Sequence, residues 1–176
     1  MPRQCSDVCD MGISKITLTH DEEVQAAAAA FLCETKGAEN YYFQNQEMRG
    51  NIHDSIKRTA EALGAEIAAA RYFGIEGFKL EINKFKERAD LGNRIEIKHT
   101  KWLDGHLILR PRDRVEDLAV LVVGESPTYY VKGWIPIRAA KTNRFKHDKL
   151  ESWWISQINL NSMENLKESN YGQIEI

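Results

Sequence analysis

Between Ala89 and Thr100 the chain reads A-D-L-G-N-R-I-E-I-K-H-T, which sets an acid, Asp90, just before a Gly92-Asn93 turn and puts Glu96 and Lys98 two residues apart on the returning segment. Side chains alternate along a strand, so Glu96 and Lys98 project from one face while Ile95, Ile97 and His99 project from the other. A tight turn folds Asp90 back near Glu96. Two carboxylates a few ångströms apart repel each other unless a proton or cation lies between them, and oxygen ligands with room for water suit Mg²⁺ or Mn²⁺. Such an ion acidifies a bound water and withdraws charge from a phosphoryl oxygen, and a neighbouring ammonium can orient the attacking water. The bland alternative is an exposed hairpin whose cross-strand ion pairs contribute little.

The elements that must position these residues are legible in outline. Thr19 and Glu22 form a capping box ahead of an alanine-rich run ending near Gly37, which predicts a helix over about 20–35. Ile52, Ile56, Leu63, Ile67 and Ala70 recur at three- and four-residue steps and predict a longer helix over about 46–73. Beyond Gly77 come short β-type runs, Phe78–Phe85, Arg94–Thr100, Gly105–Arg110, Leu118–Gly124 and Tyr129–Ile135. Leu118–Val123 is apolar at almost every position, the pattern of a central strand covered on both faces, with helices expected on either side. The expectation is one α/β domain over 20–160, with a sheet of about five strands flanked by helices, an N-terminal tail over 1–19 and a C-terminal tail over 161–176.

At 176 residues, 43% hydrophobic and 28% charged, the chain has the composition of a soluble globular domain. It contains no apolar run approaching the roughly 20 residues that cross a bilayer, so an intracellular, cytoplasmic protein with no membrane partner is expected. Cys5, Cys9 and Cys33 cannot all pair within one chain and are expected as reduced thiols, the first two in a loose tail rather than in half a metal site. The absence of a Gly-rich phosphate loop disfavours nucleotide-cofactor enzymes. The net charge of −2 hides a segregation: 1–47 carries three basic and eight acidic side chains, 84–114 nine and five, and 132–149 six and one. A basic middle is the footprint expected where a nucleic acid meets one face.

An aspartate at a strand end followed by Glu-x-Lys on the next strand resembles the signature of the PD-(D/E)XK nuclease superfamily, here Asp90 and Glu96-Ile97-Lys98. The stretch from His106 through Pro111 to Tyr130-Val131-Lys132-Gly133-Trp134-Ile135 also looks like small phage members of that group, and the likeness covers roughly residues 45–160. The resemblance implies a restriction-endonuclease-like mixed β-sheet and a Mg²⁺- or Mn²⁺-dependent endonuclease or other hydrolase of DNA, in the host cytoplasm if the gene is a phage's. It implies Asp90, Glu96 and the Ile97 carbonyl as metal ligands, Lys98 as the catalytic lysine, and a further glutamate from the preceding helix. Glu66 fits that last place, with Glu61, about 140° away around the helix axis, as its competitor. The family core also places a helix between the Glu-x-Lys strand and the next buried strand, where 111–117 has room for about two turns.

Around this centre, Lys101, Arg110, Arg112, Arg114, Lys141, Arg144 and Lys146 are candidates to contact phosphates. Trp102, Tyr129, Tyr130 and Trp134 could stack on unpaired bases, although strand aromatics usually pack in cores. His99, facing away from Glu96 and Lys98, reads as a hydrogen-bonded structural histidine. Nucleases of this kind often act as homo-oligomers, and the tail from Lys149 with Trp153 and Trp154 is a candidate contact. A rival reading is a catalytically silent nuclease-fold protein that binds nucleic acid or a protein partner, since fold does not fix function.

Overall fold

The computed structural model describes residues 14–36, 51–80 and 88–169. Helix α1 spans His20–Lys36. The capping box forms as the sequence predicts: the Thr19 N–H donates to the Glu22 carboxylate at 2.7 Å and the Glu22 N–H to Thr19 Oγ1 at 3.3 Å. Helix α2 spans Ile52–Tyr72, its N-cap Asn51 accepting from the Asp54 N–H. Strands β2 (Ile95–Thr100), β3 (Leu107–Leu109), β4 (Leu118–Glu125) and β5 (Thr128–Pro136) follow, each near its expected place. The short helix α3 (Ile137–Ala140), strand β6 (Trp153–Ile155) and helix α4 (Glu164–Glu168) follow, with 3₁₀ turns at Asn143–Phe145 and Gln157–Asn159.

The architecture is mixed α/β, as expected, but the described strands form two sheets rather than one of five strands. With β1 formed by Ser14–Thr17, four strands take the order β1-β5-β4-β2, and β3 pairs with β6 in a separate ribbon. The first strand of the large sheet, β1, lies in what the sequence assigns to the tail, and it pairs antiparallel with β5. Ile16 alone supplies apolar character in its S-K-I-T sequence. Residues 78–80 form no strand, and 81–87 of the expected Phe78–Phe85 strand lie outside the described residues, as do 46–50 of the second helix and Cys5 and Cys9.

β4 is central, and its residues Leu118–Val123 are fully buried. On one face, Leu118, Val120 and Val122 join Ile95 and Ile97 of β2 and pack on Ala26 and Ala30 of α1 and on Leu63, Ile67 and Ala70 of α2. On the other, Ala119, Leu121 and Val123 pack on Leu107, Leu109, Ile137 and Ile155. Both long helices therefore cover one face, and among the described residues the second face is covered by the β3–β6 ribbon and α3. The link from β2 to its parallel neighbour β4 runs through β3 and turns without a helix. Beyond 160, Asn161 bridges to Trp134, the Trp134 indole donates to the Ser162 carbonyl at 3.0 Å, and Met163 and Leu166 enter the core.

Candidate functional site

β2 stands at one end of the four-strand order, so one of its edges faces away from β4. That edge receives the turn. Leu91 and Ile95 exchange both backbone hydrogen bonds, at 3.0 and 3.1 Å, across the loop Gly92-Asn93-Arg94, with Gly92 at φ +56° where a side chain would be strained. The closure carries Asp90 alongside the strand, and its Oδ2 accepts the Ile97 N–H at 2.7 Å. The N–H and C=O of one strand residue point to the same side, so the Ile97 carbonyl lies on this edge too.

Glu96 and Lys98 sit in register with Ala119 and Leu121 of β4, on the face covered by the β3–β6 ribbon. Lys98 Nζ lies 3.0 Å from Glu96 Oε1 and 2.9 Å from Asp113 Oδ1. The three side chains are 15%, 5% and 1% exposed, in that order, so this is a buried acid–lysine–acid group and not a surface ion pair. Asp113 is held by its own turn: its N–H donates to the Arg110 carbonyl at 3.1 Å, and its Oδ2 accepts the Arg110 N–H at 2.7 Å. Sequence reasoning missed it. The R-P-R-D turn pattern was visible, but only the path of the chain across the second face shows that its aspartate reaches Lys98.

Around this group lies a wider charge network. Arg114 binds Asp117 through Nε at 2.8 Å and Nη2 at 2.9 Å. Burial, followed by other effects that include the charge of Glu96, holds the Asp117 carboxyl above its ordinary value in spite of that partner. Lys141 donates to the Pro111 carbonyl at 2.8 Å and to the Asp113 carbonyl, and burial lowers its affinity for a proton against the attraction of Asp113. Of the candidate phosphate contacts, then, Arg114 and Lys141 are tied into the fold, and Arg144 donates to Asn159 Oδ1 at 2.9 Å. Lys101, Arg110, Arg112 and Lys146 are exposed.

α2, which carries both helix acids, packs on the face of β2 that holds Ile95 and Ile97, and Glu66 is half-buried there. Glu61 reaches the β4–β5 hairpin, its Oε2 accepting from the Ser126 N–H at 2.9 Å and the Tyr129 hydroxyl at 2.8 Å. Tyr129 is fully buried, which together with Glu61 raises its phenol well above the ordinary range. It packs on Gly64, where a β-carbon would collide with its hydroxyl. His99 lies on this same face, as alternation predicts. Its Nε2–H donates to the Gly124 carbonyl at 2.8 Å, and its ring meets Tyr129 edge-on. Burial is the largest influence on it and lowers its pKa.

The described residues contain no group of three or more His, Cys, Asp or Glu side chains able to enclose a metal ion. Mg²⁺ seldom requires one. It keeps several waters and takes one or two carboxylates, with substrate oxygens completing its shell. No helix among the described residues is long and apolar enough to cross a membrane. Comparison with protein-family models, curated proteins and solved structures finds no match to this chain.

Proposed function

We propose that the protein is a metal-dependent nuclease that hydrolyses the phosphodiester bonds of DNA, using Mg²⁺ or Mn²⁺, as its resemblance to the PD-(D/E)XK superfamily implies. The observation that carries this reading is the bond from the Ile97 N–H to Asp90, which sets the acid of the turn beside the strand bearing Glu96 and Lys98. Asp90, Glu96 and the Ile97 carbonyl would hold the ion, with Glu66 of α2 as the further ligand that the resemblance implies. When bound, the ion supplies an acidified water and polarises a phosphoryl oxygen. Lys98, gripped by Asp113, presents an ammonium whose direction is fixed before substrate arrives. Charge aimed at a developing oxyanion without reorganisation is the form of electrostatic catalysis with the largest effect. Asp113 is a positioning residue in this scheme, acting through Lys98.

One observation favours a second reading, a silent nuclease-fold protein that binds nucleic acid or a protein partner: Lys98 is engaged by two carboxylates at once, as in a purely structural ion group. Metal binding separates the two. Calorimetric titration with Mn²⁺ is expected to give one saturable site weakened at least about tenfold by Asp90→Asn and by Glu96→Gln, the loss typical of a removed ligand or its supporting partner. Both variants are nearly isosteric, and the amide introduced by Asp90→Asn still offers an oxygen to the Ile97 N–H. Binding that ignores both substitutions would remove the metal site from this edge.

A further inference from the structure

We infer that the loop following β2 is a stacking platform for the unpaired bases of a single-stranded nucleic acid passing the proposed cleavage site. The inference rests on the nuclease reading for the kind of polymer and goes beyond it in naming the strandedness. Trp102 is 63% exposed and its neighbour Leu103 58%. Looseness does not explain this, because the loop is pinned. The Gly105 N–H donates to the Trp102 carbonyl at 2.9 Å, and Gln157 reaches across to donate to the carbonyls of Leu103 at 2.8 Å and Gly105 at 3.0 Å. A β-carbon at Gly105 would collide with Thr100, so the loop is built to close in this shape.

A second aromatic group lies on the ribbon that the loop leads into. The Trp154 ring, in a residue 37% exposed, lies 4.9 Å from the His147 ring and 6.1 Å from the His106 ring, centroid to centroid. Charge complementarity selects the occupant. Lys101 Nζ stands 4.7 Å from the Trp102 ring, and Arg110, Arg112, Lys146 and Lys149 are exposed on the segments flanking the ribbon, against exposed Asp104, Asp148 and Glu151. Outward aromatic faces among cations recognise bases through their π-faces and phosphates through charge, and a base can offer its face only when it is out of a duplex. Trp102 follows Lys98 by four residues, so the chain places them no more than about 14 Å apart, within a few nucleotides.

The test is equilibrium binding of a fluorescein-labelled oligothymidylate and of a matching duplex, in EDTA so that nothing is cut. The single strand is expected to bind more tightly than the duplex. Trp102→Ala is expected to weaken it by about five- to hundred-fold, the range for loss of one stacked base, and Trp102→Phe to retain most of the affinity. Equal affinity for both forms, unaffected by Trp102→Ala, would overturn the platform. So would a dimer, seen by sedimentation, that Trp102→Ala dissociates while the oligonucleotide fails to bind. Plasmid cutting is scored separately. Loss of metal-dependent cutting with Trp102-dependent binding intact sinks the nuclease reading and leaves the platform standing, and the reverse result sinks the platform alone.

Discussion

Lys98→Met is expected to lower stability by about 3–5 kcal/mol, the cost of leaving a buried charge group without its counter-ion. The reason lies in the 5% and 1% exposure of the Glu96 and Asp113 side chains that share the ammonium. Removing it leaves two carboxylates on one sheet face with little water to screen them, while the apolar stem of methionine still fills the space. Urea denaturation checks this through a lowered midpoint at unchanged slope. The natural control is Lys57, paired with Glu125 at 3.8 Å where both side chains are at least half exposed. Lys57→Met should move stability by no more than about 0.5 kcal/mol. Similar losses for the two variants would show that the Lys98 group is not the buried cluster described here.

Asp113 yields the second large effect, and a division between stability and activity. Asp113→Ala removes the acceptor of the Arg110 N–H together with the partner of Lys98, and is expected to cost about 3 kcal/mol. Asp113→Asn keeps a side-chain oxygen for the turn and loses only the charge. It should retain most of the stability while lowering kcat by about tenfold or more with KM little changed, the pattern of an interaction realised chiefly in the transition state. Equal kcat in Asp113→Asn and the native protein, with Lys98→Met inactive, would remove Asp113 from the positioning role.

Features specified by neighbours in sequence were the ones legible in advance. The capping box at Thr19 and Glu22, the periodic face of α2, the apolar run of β4 and the alternation of β2 are each written within a few residues, and each formed where expected. The turn that brings Asp90 to Ile97 belongs to the same class, since seven residues and one glycine suffice to close it. What escaped was set by contacts distant in sequence. Asp113 meets Lys98 only because the chain crosses the second face between two parallel strands. Glu61 meets Tyr129 and Ser126 only because α2 lies across the β4–β5 hairpin. β1 carries too little apolar sequence to announce itself and is defined by its partner β5. The second face was expected to carry helices, but hydrophobicity on both sides of β4 requires only cover, and a two-stranded ribbon with α3 provides it.

The most direct test of the proposed activity is cutting of supercoiled plasmid by the native protein and by Asp90→Asn, in Mg²⁺, Mn²⁺ and EDTA, with linear and single-stranded DNA run alongside. A nuclease working through this site yields nicked, linear or shortened products that require the metal, disappear in EDTA and fall at least about a hundredfold with Asp90→Asn while that variant remains folded. Cutting that persists in EDTA or survives Asp90→Asn would contradict the site. No cutting of any of the three DNA forms in either metal would contradict the nuclease itself and leave the binding protein as the reading to pursue.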